Sequence, residues 1–175
     1  GIISALKRNT YVDYAGMGVA ILGVSIPVIV TAPLLQYVFA VVWKILPVTG
    51  WGTLQHLILP AFALGFVNSA ILARLTRASL LQVMNEDYIR TARSKGLPER
   101  IVIIGHALRN SLIPVITIIG PLFAALVTGT FVIETVFGIP GLGRYFVTSI
   151  TDRDYTVIMG TILLYAIFLV IANML

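Results

Sequence analysis

Four long runs without a single charged side chain fix what this chain can fold into. No Asp, Glu, Lys or Arg occurs between Asp13 and Lys44, between Lys44 and Arg74, between Arg109 and Glu134, or between Asp154 and Leu175. Each run holds the roughly 20 apolar residues that a membrane-spanning helix needs, and within a bilayer a helix satisfies all of its own backbone polar groups. The runs predict four spans, at about 14–42, 56–78, 109–133 and from 155 onward. Composition agrees, since hydrophobic residues make up 58% of the 175 positions and charged residues only 11%, against about 25% charged in soluble domains. The competing reading, helices buried in a large soluble protein, does not account for four such runs in one chain. The predicted fold class is all-α, a polytopic transmembrane helical bundle read as one transmembrane domain over 1–175.

The chain reads as a piece of a longer protein, because Gly1 is not an initiator Met and Leu175 falls inside an apolar run with no basic flank. Lys7 and Arg8 precede a run too long for a signal-peptide core. There is no cysteine, hence no disulfide framework and no thiolate chemistry.

Basic residues set the orientation, because Lys and Arg accumulate in cytoplasmic loops. Four spans give one side Lys7, Arg8, Arg74, Arg77, Arg90, Arg93, Lys95, Arg100 and Arg109, and the other side Lys44, Arg144 and Arg153. The opening segment is therefore predicted to be cytoplasmic. The net charge of +5 sits at membrane boundaries, where the orientation rule explains it without nucleic acid.

Prolines interrupt the spans: Pro27 and Pro33 in the first, Pro60 early in the second, Pro114 and Pro121 in the third. Each removes a backbone donor and bends its helix. Ordinary kinks and cavity-lining bends of a transporter both fit this pattern.

Between the second and third spans the charge is concentrated in one stretch, DYIRTARSKGLPERIVIIGHALRNSLIP, residues 87–114. Asn85 is a good N-cap, and Glu86 and Asp87 follow where negative charge suits the helix dipole. Arg93 and Lys95 fall in the last turn, Gly96 takes the left-handed closing position with Leu97 folding back toward Ala92, and Pro98 opens the next helix. This spelling predicts a separate short helix over 86–95, about 15 Å long, which is marginal in water by itself. The mixed charges and the small residues Thr91, Ala92 and Ser94 suit a protein groove better than a lipid surface; a solvated loop is the other reading.

The remaining polar residues each carry two readings. Asn68 and Ser69 in the second span, and Asn110 and Ser111 in the third, line a path or bond neighbouring helices. His56 and His106 lack the i,i+4 partner of a metal-binding helix and read as boundary or packing residues. Glu134 is either a boundary carboxylate or a gate. After it, Gly138, Pro140, Gly141 and Gly143 make a compact turn, and Leu142, Tyr145, Phe146 and Ile150 follow at helical spacing. They predict a short external surface helix, with Glu134, Pro140, Gly141, Gly143 and Arg144 as an outer gate or contact site, or as plain loop packing. No Gly-Lys dipeptide occurs, so there is no phosphate-binding loop of the Walker type. The spans hold no carboxylate away from their ends, which argues against an intramembrane enzyme, and no filter-like loop suggests an ion-coupled carrier or channel.

The charged stretch, followed by ETVFGIPGLGRYF and DRDY, resembles the B-type permease subunit of the dipeptide, oligopeptide and nickel branch of ATP-binding-cassette importers, over essentially the whole chain. In the wider superfamily the cytoplasmic loop reads Glu-Ala-Ala, three residues, then Gly; aligned on Gly96, this chain has Arg90, Thr91 and Ala92, a departure that resembles the peptide branch. The resemblance implies a type I importer permease fold of about six spanning helices, with the first two upstream of Gly1. It makes the short helix, 85–97 with its caps, a coupling helix that meets a cytoplasmic ATPase through Glu86, Asp87, Tyr88, Arg90, Thr91, Ala92, Lys95, Gly96 and Leu97. It also implies a C-type permease partner, two ATPase subunits carrying the ATP and Mg, an external substrate-binding protein, and a bacterial inner membrane. The chain itself would be non-catalytic and carry no cofactor. Peptides are the expected substrate, with nickel, glutathione or another small solute as alternatives.

Overall fold

The computed structural model describes residues 1–127 and 130–174, and every regular element among them is helical. The order is α1 (Ile2–Leu6), α2 (Tyr11–Ser25), α3 (Val28–Gln36), α4 (Leu54–Val83), α5 (Asp87–Ser94), α6 (Glu99–Ile101), α7 (Arg109–Ser111), α8 (Ile113–Val127), α9 (Phe131–Phe137), α10 (Leu142–Asp152) and α11 (Tyr155–Met174). Wider π-helical turns extend α3 over Tyr37–Val42 and join α6 to α7 over Val102–Leu108.

Among the described residues, only α4, at 30 residues, is by itself long and apolar enough to cross a membrane. At about 1.5 Å per residue it exceeds a hydrocarbon core of about 30 Å, so its polar last turns, with Arg74 and Arg77, reach beyond the apolar layer. The first predicted span is two helices. Pro27 adopts φ −58° and ψ 144° and caps α3, and a proline disfavours helical backbone in the residue before it, so α2 ends at Ser25. The third is likewise bent, by 42°, where α7 meets α8 at Leu112, two residues before Pro114. Pro33, Pro60 and Pro121 are carried inside continuous helices. The expected span over 109–133 is corrected: Thr130 is extended (φ −116°, ψ 112°) and caps the separate helix Phe131–Phe137, while 128 and 129 lie outside the described residues. Hydropathy runs unbroken past Thr130 because it reports side-chain polarity and not backbone angles. The fourth is α11 itself, Tyr155–Met174, capped by Asp154, whose Oδ1 accepts the Thr156 and Val157 N–H groups at 3.1 Å each.

The chain folds as two compact units, Gly1–Ser25 with Asn68–Ile119, and Ile26–Val67 with Gly120–Leu175. In the first, Ala5, Leu80, Ile89, Ala92, Val102 and Ala107 form the buried core, flanked by Leu81, Val83 and Met84. In the second the core is Ala32, Ala40, Leu59, Ala63, Ile133 and Phe137. Half of each cluster is alanine, which lets helix backbones approach closely, the main source of helix affinity where lipid competes for larger apolar groups. The second unit is also tied by polar bonds: Gln36 Nε2 donates to Val48 O at 2.7 Å and Val136 O at 3.1 Å, and the Gly50 N–H donates to Phe137 O at 3.1 Å.

Candidate functional site

The short helix α5 runs from Asp87 to Ser94, slightly inside the predicted bounds. Its N-cap is Glu86 and not Asn85, with no side-chain capping bond; Asn85 Nδ2 instead donates to Leu81 O at 3.0 Å, closing the preceding helix α4. The C-terminus matches its spelling. Gly96 has φ +76°, the left-handed region where glycine pays no Cβ penalty, and the Lys95 and Gly96 N–H groups close the last turn on Thr91 O and Arg93 O.

What holds so short a helix is its own chain. Ile89 is fully buried and Ala92 is 6% exposed, both in the core with Leu80, Val102 and Ala107. Burying an isoleucine supplies about 1.5–3 kcal/mol, on the scale of what an eight-residue helix lacks by itself. Two polar ties flank this contact. Asn110 Nδ2 donates to the Tyr88 hydroxyl at 2.8 Å, and Arg93 donates through Nε and Nη2 to the two Glu99 carboxylate oxygens at 3.1 and 2.7 Å. These hydrogen bonds from Arg93 hold the Glu99 carboxyl below its ordinary range.

The residues predicted for coupling therefore divide by face. Glu86, Asp87, Arg90, Thr91 and Lys95 are exposed, Arg90 and Asp87 forming a loose solvent-facing pair at 3.4 Å. Tyr88 is partly exposed and Leu97 stays on the surface. Ala92 belongs to the other face: its methyl group meets the core of the chain, so it seats the helix and does not reach outward. The expected Leu97–Ala92 closure thus does not account for Ala92's burial.

The polar residues predicted for a path have diverse placements. Ser111 is fully buried and its hydroxyl donates to Leu108 O at 3.0 Å. Asn110 serves the short helix as described. Asn68 is half-buried and Ser69 is exposed on α4. His56 Nδ1 lies 2.6 Å from Thr53 Oγ1, and its ring sits where a Cβ on Gly50 would be, which is a local packing role. Among the described residues no three of His, Cys, Asp and Glu gather to hold a metal.

Around Glu134 the residues do converge. Gly138 closes α9 in the left-handed region at φ +66°, the Ile139 N–H donates to Glu134 O at 2.9 Å, and Gly141 caps α10. Glu134, 7% exposed, turns its carboxylate onto the start of α10, where Oε2 accepts the Arg144 N–H at 2.8 Å. A carboxylate there satisfies an orphan donor and meets the positive end of the helix dipole. The two glycines follow from this geometry. A Cβ on Gly141 would overlap the Glu134 carboxyl group, and one on Gly143 would lie 2.9 Å from Phe131 N and 3.0 Å from its Cα. The predicted amphipathic helix is α10, Leu142–Asp152, and Pro140, Arg144, Tyr145 and Thr148 border an open cleft of about 280 Å³.

Sequence reasoning missed one constellation. Asp13, 1% exposed, accepts Arg77 Nε and Nη2 at 2.6 Å each, and the Asn9 N–H donates to Asp13 Oδ2 at 3.0 Å. The bidentate pair joins α2 to α4 across 64 positions of sequence. Its one visible signal was Asp13 at the border of an uncharged run and Arg77 one helical turn past the border of another.

The whole chain, residues 1–175, matches the family described as binding-protein-dependent transport system inner membrane component. It is 52% identical over 98% of its length to the dipeptide transport system permease protein DppB of Bacillus subtilis (strain 168), covering 56% of that protein. It is 46% identical over 94% of its length to the oligopeptide transport system permease protein OppB of Escherichia coli (strain K12), covering 54% of it. To the glutathione transport system permease protein GsiC of Pectobacterium atrosepticum it is 45% identical over its full length, covering 57% of that protein. The chain thus spans about half the length of the curated relatives it matches.

Proposed function

Because the chain belongs to the family of binding-protein-dependent transport system inner membrane components, we propose that it forms part of a permease subunit that imports peptides and is driven by ATP hydrolysed on partner subunits. The observation that carries this reading is α5: a short helix seated on its own core through Ile89 and Ala92, with Glu86, Asp87, Arg90, Thr91 and Lys95 left facing outward. A polar helix face that is rigidly mounted yet unpartnered suits a lever, since a groove that grips it moves the helices behind it. The ATPase subunits bind ATP and Mg; this chain transmits their motion and does no bond chemistry. A C-type permease subunit completes the path, and an external binding protein delivers the substrate against 134–154, where Glu134, Pro140, Gly141, Gly143 and Arg144 shape the contact and outer gate. Asn68, Ser69, Asn110 and Ser111 supply the polar lining of the path in this reading, and the bond from Asn110 to Tyr88 ties that lining to α5.

Dipeptides and oligopeptides are the substrates favoured by the likeness to permeases named for them; the likeness to a glutathione permease supports a small thiol peptide as the second reading. The test is uptake of labelled dipeptides, longer peptides and glutathione by a strain lacking the full-length protein. Loss of peptide uptake, restored by the gene, is expected. Unaltered uptake of all three would overturn the reading.

A further inference from the structure

The cleft at the start of α10 has a chemical character that its place in an outer gate does not explain. Among the described residues that border it, Pro140, Arg144, Tyr145 and Thr148, only Arg144 is charged. Among the described residues no acceptor meets its guanidinium: the Glu134 carboxylate takes the Arg144 backbone N–H and not the side chain. The Thr148 hydroxyl spends its proton on Arg144 O at 2.9 Å. The Tyr145 hydroxyl stands on an exposed side chain. Pro140 has no N–H and offers an apolar wall. The donors available to a visitor are thus a planar guanidinium and a phenol, a set that matches a carboxylate.

The arginine is also fixed at its root. Its backbone N–H is held by a buried carboxylate, and the glycines on either side of Leu142 pack so closely that a Cβ on either would strike Glu134 or the Phe131 backbone. A fixed backbone lowers the ordering cost of binding. We propose that this cleft is a carboxylate-binding site, and that the carboxylate is an acidic side chain of the substrate-binding protein. The proposal rests on the permease reading above, which gives the segment an external partner; the uncompensated positive charge at the cleft is what calls for an acidic one.

The experiment uses the complete transporter, with the full-length protein carrying this chain, in lipid nanodiscs with its own binding protein loaded with peptide. ATP hydrolysis is followed as binding protein is titrated, at low and moderate salt. Arg144→Gln retains the backbone N–H that Glu134 holds and removes the charge. It should raise the half-stimulating concentration roughly 10-fold and weaken its salt dependence. Arg144→Lys should fall between wild type and Gln, because an ammonium keeps the charge without the bidentate fork, and Tyr145→Phe should give a shift of about 2-fold to 3-fold. The shift should be the same whether the binding protein carries a free-acid or a C-terminally amidated peptide. A shift confined to the free-acid peptide would mean the carboxylate belongs to the substrate, and the assignment to the binding protein would fall. If the wild type responds to binding protein and all three variants respond alike, the cleft has no such role although the permease reading stands. If the wild type does not respond at all, the permease reading fails first.

Discussion

Three glycines in this chain are required for different reasons, and substitution separates them. At Gly96 a Cβ would meet nothing within 4 Å, so only the left-handed backbone at φ +76° opposes alanine; Gly96→Ala should cost about 1 kcal/mol. Gly141 and Gly143 have no such conformational demand, but their Cβ atoms would collide with Glu134 and with the Phe131 backbone. Overpacking of that kind costs about 1–3 kcal/mol, and thermal unfolding of the solubilised protein should place both alanine variants below Gly96→Ala. Glu134→Ala should relieve Gly141→Ala, whose obstacle is the carboxylate, and leave Gly143→Ala unrelieved, because backbone stands in its way. Equal behaviour of the two would refute this account. The ion pairs respond in their own way. Asp13→Ala and Arg77→Ala each leave a partner without its counter-charge, so the double variant should lose less stability than the two single losses added together. At Glu99 the sign follows from a lowered carboxyl pKa: the contribution of the Arg93 pair is complete above the ordinary glutamate range and fades as pH falls through the lowered value. Coupling assays near neutrality therefore do not titrate it.

At the scale of single helices, the two faces of α5 make opposite predictions. Ile89→Ala opens a hole in the core of the first unit and should cost about 2–4 kcal/mol. Hydrogen–deuterium exchange should then show lost protection over Asp87–Ser94. Arg90→Glu alters only the outward face and should preserve that protection while weakening copurification of the ATPase subunits; if both variants lose protection, the faces are not independent. Ala92→Arg belongs with Ile89→Ala, since it forces a long cation into the chain's own core. The face of Ala92 was not legible in the sequence, because a small residue among arginines is spelled the same way whether it touches a partner or the helix behind it. The ends of the helix were legible: Gly96 and Pro98 leave little choice for a C-terminus, whereas Asn85 and Glu86 both suit the start and the backbone selected Glu86. The same division runs through the external segment. The GIPG turn and the apolar spacing announced α10, but only coordinates could reveal that the Glu134 carboxylate, seven residues before Gly141, requires the glycine there, and that the Phe131 backbone requires the one at Gly143. The Asp13–Arg77 pair lay further from reach, because no local pattern links positions 64 residues apart.

For the molecule as a whole, the uncharged runs located the apolar segments well and their breaks poorly. Composition changes slowly along a chain, whereas a break at Pro27 or at Thr130 depends on a few backbone angles. Orientation is a different matter, since it rests on charge counts that no helix boundary alters. With the four predicted spans, nine basic residues fall on the side of the short helix and three on the other, and closing the third span before Thr130 instead of at 133 shifts none of them. The chain contains no cysteine, so single thiols introduced into the cysteine-free background report position without interference. Ser94 is exposed at the end of α5, and Thr151 is exposed near the end of α10; neither side chain bonds beyond its own helix, Ser94 Oγ donating to Arg90 O and Thr151 Oγ1 to Val147 O. Their replacement should therefore leave the fold intact. In intact cells a membrane-impermeant thiol reagent should label Thr151→Cys and spare Ser94→Cys, and permeabilising the membrane should make both reactive. The reverse pattern would invert the molecule in the membrane, separate α5 from any cytoplasmic ATPase, and remove the lever on which the importer reading depends.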